Sequence, residues 1–222
     1  MGEIIQGSAE WHAIRLGRVT ASRVADVIAR TKSGPAASRK NYMAELVLER
    51  LTGAQAEGFT NAAMQWGIDT EPQARIAYEF HRDIDVAEIG FVPHPTIADT
   101  GASPDGLVGM DGLVEIKCPL PATHMETLDS GKVPARYLTQ MMWQMACTGR
   151  QWCDFVSFDP RFPAHMQFFC DRVKRDDDMI RDLEAEVTAF LNELRETVDR
   201  LRAKYEPATS ETDETVLAMM AG

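Results

Sequence analysis

Asp105, Glu115 and Lys117 have the types and spacing to do chemistry. They lie in one stretch, Ala102-Ser-Pro-Asp-Gly-Leu-Val-Gly-Met-Asp-Gly-Leu-Val-Glu-Ile-Lys-Cys-Pro119. Gly106-Leu-Val and Leu113-Val-Glu-Ile are aliphatic and β-branched, which suits two short strands. Met110-Asp111-Gly112 supplies the turn, because Asp-Gly tolerates the positive φ of a tight hairpin. Folding about that turn sets Asp105 close to opposite Glu115. Lys117, two residues further on, points to the same face as Glu115. Buried charges are costly unless paired or metal-bound. One reading is a structural ion pair, Glu115–Lys117 or Asp105–Lys117. The other is a divalent-metal site. There Asp105, Glu115 and the carbonyl of Ile116 offer hard oxygen ligands to Mg²⁺, with Mn²⁺ an alternative. Lys117 then stands beside the attacking water.

The elements around this hairpin alternate between helix and strand. A helical turn from Trp11 precedes a second helix, with Thr20 or Ser22 as its cap. Ser33-Gly34-Pro35 marks residues 31–39 as a flexible connection. Residues 41–51 form an amphipathic helix with Met43, Leu46, Val47 and Leu51 inward. Residues 61–81 form a long helix, disturbed or divided at Pro72, with Met64, Ala74, Ala77 and Phe80 on its packed face. A strand is expected over 86–92. A short helix follows at 124–128 and a strong one at 136–148, where Gln140 and Gln144 share a face one turn apart. Strands at 152–159 and 165–173 lead to a long helix over 176–205. Its apolar residues recur at three- and four-residue steps, as in a core-packing helix or a coiled-coil contact. The alternation makes the fold class α/β, ending in a long C-terminal helix. Residues 1–206 form one domain and 207–222 a polar, flexible tail with an apolar tip at Val216-Leu-Ala-Met-Met220.

The chain has 222 residues and a net charge of −11. That balance is unusual for a nucleic-acid binder, whose affinity normally comes with a basic footprint. Arg30, Lys32, Arg39 and Lys40, however, lie in a segment without acids, while acids are dense from Asp176 onward. One reading is a basic entrance on an acidic body that would guide DNA; the other is an ordinary solvated loop. No apolar run approaches the length of a membrane span, and the N-terminus lacks a signal-peptide pattern. The expected location is cytoplasmic. Four cysteines without a C-x-x-C pair point to free thiols in a reducing compartment. No phosphate-cradling loop, dinucleotide turn or metal-binding histidine spacing is present.

Ser103-Pro-Asp-Gly followed by Glu115-Ile-Lys-Cys-Pro resembles the PD-(D/E)XK nuclease superfamily, and more closely its lambda-phage-type (viral recombinase) alkaline exonucleases. Three further motifs carry the resemblance in order. Trp11-His-Ala-Ile-Arg-Leu-Gly-Arg-Val-Thr-Ala-Ser22 is similar to that family's W-x-x-x-R-x-G-x-x-T-A-S. Gln65-Trp-Gly-Ile-Asp-Thr-Glu71 is similar to its W-G-x-x-x-E, and Tyr137-Leu-Thr-Gln-Met-Met-Trp-Gln144 to its Y-x-x-Q-x-Q helix with one extra residue between the glutamines. Together they span the first three quarters of the chain.

The resemblance implies a restriction-endonuclease-like core, with a mixed central β-sheet flanked by helices, and makes the protein an Mg²⁺-dependent 5′→3′ exonuclease on linear double-stranded DNA. It would release 5′-mononucleotides and leave a 3′ single-stranded overhang for recombination by strand annealing. It implies Glu71 as a third carboxylate beside two metals. Arg15, Ser22, Ser103 and Gln140, with Thr20 and Tyr137, would contact the terminal 5′-phosphate and the DNA. Met64 falls at the family's strand-separating wedge; beside such a site the basic loop itself, through Lys32, Arg39 and Lys40, would close over the DNA. Also implied are a homotrimeric ring around DNA, a single-strand-annealing partner and the cytoplasm of a bacterial host cell. Two rivals remain: a structure-selective or restriction-like endonuclease with the same metal site, and a non-catalytic DNA-end-binding scaffold.

Overall fold

The computed structural model describes residues 4–56 and 62–206. Ser8 starts α1 (Ala9–Arg15) by accepting a hydrogen bond from the Trp11 N–H at 3.2 Å. After β1 (Val19–Thr20) come a 3-10 turn (Ala21–Arg23) and α2 (Val24–Val27). The side-chain cap expected at Thr20 does not form. Thr20 belongs to β1, and its hydroxyl faces Ser22 Oγ at 3.4 Å. The segment expected to be a flexible connection contains a hairpin, β2 (Arg30–Thr31) and β3 (Gly34–Pro35). It leads to α3 (Ala37–Thr52), which ends at Gly53 with φ 67°. Tyr42, Leu46, Val47 and Glu49 face inward on α3, whereas Leu51 is exposed.

The helix α4 (Ala62–Arg82) runs unbroken through Pro72. Its buried residues are Thr70, Ala74 and Tyr78, while Met64 and Phe80 face outward, contrary to expectation. Ala74 and Tyr78 set the packed face at four-residue spacing, and Phe80 lies two positions round from it. The single strand expected over 86–92 is two, β4 (Val86–Ala87) and β5 (Val92–Pro93), which join different sheets. Then come β6 (Thr100–Ala102), β7 (Gly106–Val108), β8 (Gly112–Lys117), α5 (Pro121–Ser130) and α6 (Ala135–Thr148). The last elements are β9 (Trp152–Phe158), β10 (Phe168–Lys174) and α7 (Asp177–Tyr205). Asp176 caps α7 by accepting from the Met179 N–H at 3.0 Å. The tail predicted for 207–222, with its apolar tip, lies outside the described residues.

The main sheet has the order β10-β9-β8-β7-β4, with β8 and β9 parallel and the other neighbours antiparallel. A smaller sheet, β1-β6-β5, holds the α1–α2 region against the segment that precedes β7. Alternation along β8 divides the core in two. Leu113 packs with Cys153 and Phe155 against α2, α3, α6 and α7. Val114 and Ile116 pack on the other side with Val156, Phe158, and Ala74 and Tyr78 of α4. Glu115 and Lys117 share the parity of Leu113, so both point toward α6. The four cysteines are free.

Candidate active site

In the β7–β8 hairpin, Gly106 pairs with Val114, Leu107 with Leu113 and Val108 with Gly112. One residue further along, Asp105 falls opposite Glu115, as the alternation predicts. The positive φ of the turn sits at Gly109 (52°) and not in the Asp111-Gly112 pair. Gly112 is instead the first residue of β8, where a Cβ would come within 2.1 Å of the Trp152 ring.

Glu115 is fully buried. Its Oε1 accepts from Gln140 Nε2 at 2.5 Å and is also paired with the Lys117 ammonium. Its Oε2 accepts from Gln144 Nε2 at 2.5 Å. Asp105 Oδ2 accepts from the Ile116 N–H at 2.6 Å. Burial, and then the nearby charges of Glu115 and Glu71, push the Asp105 carboxyl well above its usual range, against the pull of Lys117. Burial opposes the Lys117 charge, but Glu115 and Asp105 outweigh it and hold that ammonium above its usual range. The result is a knot of charge with more carboxylate than cation.

Glu71 reaches this knot from α4 but is turned to Arg75, 2.9 Å away, which also pairs with Glu88. Among the described residues no group of three or more His, Cys, Asp or Glu side chains stands ready to hold a metal. The donor set nonetheless fits a hard cation. It is all oxygen, and a divalent ion would relieve both the burial and the neighbouring carboxylate charge that raise the Asp105 carboxyl. Asp105, Glu115 and the Ile116 carbonyl are the residues that would hold it, with Glu71 available once it leaves Arg75.

Three adjoining clefts surround the knot. One of about 390 Å³ is lined by Met64, Ile68, Glu71, Ile116, Lys117 and Tyr137, among others. One of about 660 Å³ includes Trp11, Glu71, Arg75 and Asp105. A third, of about 300 Å³, includes Trp11, Arg15, Thr20, Ser22 and Met64. Trp11 is the joint between the last two. Its Nε1 donates to Ser103 Oγ at 2.9 Å, and the Arg15 guanidinium lies 3.7 Å over its ring. Burial lowers the Arg15 pKa, partly offset by Tyr42 and Glu49. Gly17 fixes the chain here with φ 67°, and a Cβ on it would meet Arg50 Cγ at 2.9 Å. Glu49 accepts from the Gly17 N–H at 2.7 Å. A forked guanidinium beside hydroxyls in a half-buried cleft has the chemistry to receive an oxyanion, although Glu45 and Glu49 line the same cleft.

The structure thus gathers Asp105, Glu115, Ile116, Lys117 and Glu71, and next to them Arg15, Thr20, Ser22 and Ser103. Tyr137 stacks on Phe155 with ring centroids 5.3 Å apart and lies 5.6 Å from Lys117 Nζ. Gln140 is engaged with Glu115, not held open for a phosphate. Two expected DNA contacts are not brought to the clefts. Arg39 donates to Glu193 of α7 at 2.7 Å and to the Val27 carbonyl at 3.1 Å. Lys32 sits exposed at the tip of the β2–β3 hairpin, whose Arg30 is tied to Glu186. The acids of α7 draw this basic segment away. Sequence reasoning passed over Trp11 and Arg75. Trp11 belongs to a quoted motif, but its partner is 92 residues away. Arg75 lies one helical turn beyond Glu71, and that spacing was a usable signal.

A family model described as the YqaJ-like viral recombinase domain matches residues 10–151, more than half of the chain and every residue of this site. The chain belongs to the YqaJ-like viral recombinase family. The lambda-type resemblance of its four motifs agrees with that membership. Two crystal structures of LHK-Exo, an alkaline exonuclease from Laribacter hongkongensis, are 57% identical to it. They cover 89% of this chain and 97% of their own, with TM-scores of 0.84 for the complex with dAMP and 0.83 for the other. A phage related exonuclease from Haemophilus somnus 129PT shares the fold at 16% identity and a TM-score of 0.66, covering 83% of this chain and 96% of its own. A comparison with curated proteins finds no match. For this family member, β8, β9 and α6 form the frame of the site, and α4 carries Glu71 and Met64 across it.

Proposed function

We propose that this protein is a divalent-metal-dependent exonuclease that degrades the 5′-ended strand of linear double-stranded DNA. It releases 5′-mononucleotides and leaves a 3′ single-stranded overhang. The observation that carries this reading is the adjacency of two unlike sites. The Asp105–Glu115–Lys117 knot can cut a phosphodiester, and the Arg15–Ser22 cleft beside it can hold a terminal phosphate. Family membership and the alkaline exonuclease at 57% identity support it.

The division of labour follows from the contacts. Arg15, Thr20 and Ser22 grip the terminal phosphate, and Trp11 keeps Ser103 and Arg15 in fixed relation to it. Holding the end sets which phosphodiester lies at Asp105, so one nucleotide is removed at a time. A bound Mg²⁺ or Mn²⁺ would supply Lewis acidity and a water acidic enough to attack phosphorus, and a second would neutralise the leaving oxygen. Asp105, Glu115, the Ile116 carbonyl and, once it leaves Arg75, Glu71 are the residues that would hold it. Lys117 orients the attacking water and holds its proton balance. Met64, exposed at the meeting of two clefts, separates the terminal base pair. A homotrimeric ring, a single-strand-annealing partner and the bacterial cytoplasm complete the reading by likeness to the lambda-type enzymes. None of the helices among the described residues is long and apolar enough to cross a membrane.

The test compares linear duplex with closed circular DNA, with Mg²⁺ or EDTA, for wild type and Lys117→Ala. Mononucleotide release from the linear duplex alone is expected, abolished by EDTA and reduced more than about a hundredfold in the variant. Cutting of the circle would favour the endonuclease. Metal-independent end binding without hydrolysis would favour the scaffold.

A further inference from the structure

Gln144 poses a problem for an ordinary helix. It is fully buried in the middle of α6, between Trp143 and Met145, which are themselves fully buried. Its side-chain Oε1 has no hydrogen-bond partner among the described residues. A buried polar group left half satisfied is destabilising, so an apolar residue would serve the core better. What the amide does make is a single 2.5 Å bond, from Nε2 to Glu115 Oε2. Gln140, one turn earlier, makes the matching bond to Oε1. The amide cannot be turned over, because its carbonyl would then face the carboxylate.

We infer that Gln144 is a positioning residue which, with Gln140, clamps the Glu115 carboxylate in the orientation that receives the metal. The inference rests on the metal-dependent reading above and deepens it. The geometry supports three steps. Glu115 leaves a strand and points at α6, so its direction is set by backbone alternation but its rotation about the last bond is not. Two amide donors spaced one turn apart on a rigid helix, one per oxygen, fix that rotation. Lys117 pairs with Oε1, and Gln144 supplies the amide donor on Oε2. A ligand carboxylate held this way needs no reordering when the cation arrives, and loss of such a holding partner typically weakens metal binding about 10- to 100-fold.

The experiment measures Mn²⁺ affinity by titration calorimetry on the full chain, with wild type, Glu115→Gln and Gln144→Met. Gln144→Met keeps the volume of the side chain and removes the donor. Thermal midpoints in EDTA and binding of a 5′-phosphorylated duplex in EDTA report whether the fold and the phosphate cleft survive. We expect wild type to bind Mn²⁺, Glu115→Gln to lose that binding, and Gln144→Met to bind at least about tenfold more weakly, with DNA-end binding unchanged. If Gln144→Met does not fold, Gln140→Met, at a half-buried position, is expected to weaken Mn²⁺ in the same way through the other oxygen. Equal Mn²⁺ affinity in wild type and the folded glutamine variant would overturn the clamp and leave the metal site standing. No Mn²⁺ binding by wild type would overturn both.

Discussion

Asp105 stores a conflict in the folded chain. Its carboxyl is raised by burial first and by Glu115 next, so the folded protein binds a proton there more tightly than the unfolded chain does. The stability from that proton is complete below the ordinary value of 3.8 and is lost as pH rises through the folded value. Asp105→Asn removes the conflict and keeps an oxygen to accept from Ile116. In EDTA at pH 8 this variant should melt a few degrees above wild type, with the gap closing toward pH 4; about 1 kcal/mol corresponds to about 2–4 °C at this size. An equal or lower midpoint at pH 8 would show that Asp105 is not strained. Arg15 has a different signature. Arg15→Ala should cut the preference for 5′-phosphorylated over 5′-hydroxyl ends about 10- to 100-fold, mainly in KM. Single-turnover rates on both ends, read at saturating enzyme, check that split. At this scale the sequence was most legible where chemistry follows strand alternation. The two-residue step from Glu115 to Lys117 and the hairpin pairing of Asp105 were available from pattern alone. The bond from Gln144 to Glu115 was not, because it depends on which side of β8 the helix α6 packs.

The elements explain why one basic segment points away from the clefts around Asp105 and Arg15. Arg39 is largely enclosed, packed 5.0 Å over the Phe190 ring and bonded to Glu193 and to the Val27 carbonyl. It joins α3, the end of α2 and α7. Arg39→Ala should therefore lower thermal stability by about 1–2 kcal/mol and leave the preference for 5′-phosphate unchanged. A chemical-denaturation curve beside an end-preference assay separates the two outcomes, and lost end preference with unchanged stability would return Arg39 to the DNA. The sequence shows the same cation in either role. Its partner is 154 residues away, and only tertiary packing selects it. The face of α4 was misjudged for a related reason. Met64 and Phe80 are apolar enough for a core, but the small Ala74 and the aromatic Tyr78 fit beneath the sheet, where Tyr78 donates to buried Asp154 at 2.9 Å. Long periodic helices such as α6 and α7 were legible almost to the residue, whereas two-residue strands such as β4 and β5 carry too little pattern to be separated.

The whole molecule is acidic, and its order of motifs matters more than its net charge of −11. On the proposed reading cations would meet DNA at a few enclosed positions, while α7 pairs with Arg30 and Arg39 elsewhere. Binding directed at a terminal phosphate does not need a broad basic face. It needs one receptor at a fixed distance from one cutting site, and the small β1-β6-β5 sheet supplies that spacing by joining Thr20 to the segment that leads into Asp105. The direct test of this account uses linear duplex labelled on one strand at its 5′-phosphate or at its 3′ end, followed through the first turnovers with Mg²⁺. Release of the 5′ label as a mononucleotide, while the 3′ label stays in a strand that shortens one nucleotide at a time, is the predicted result. Early release of the 3′ label, or of the 5′ label within an oligonucleotide, would contradict it.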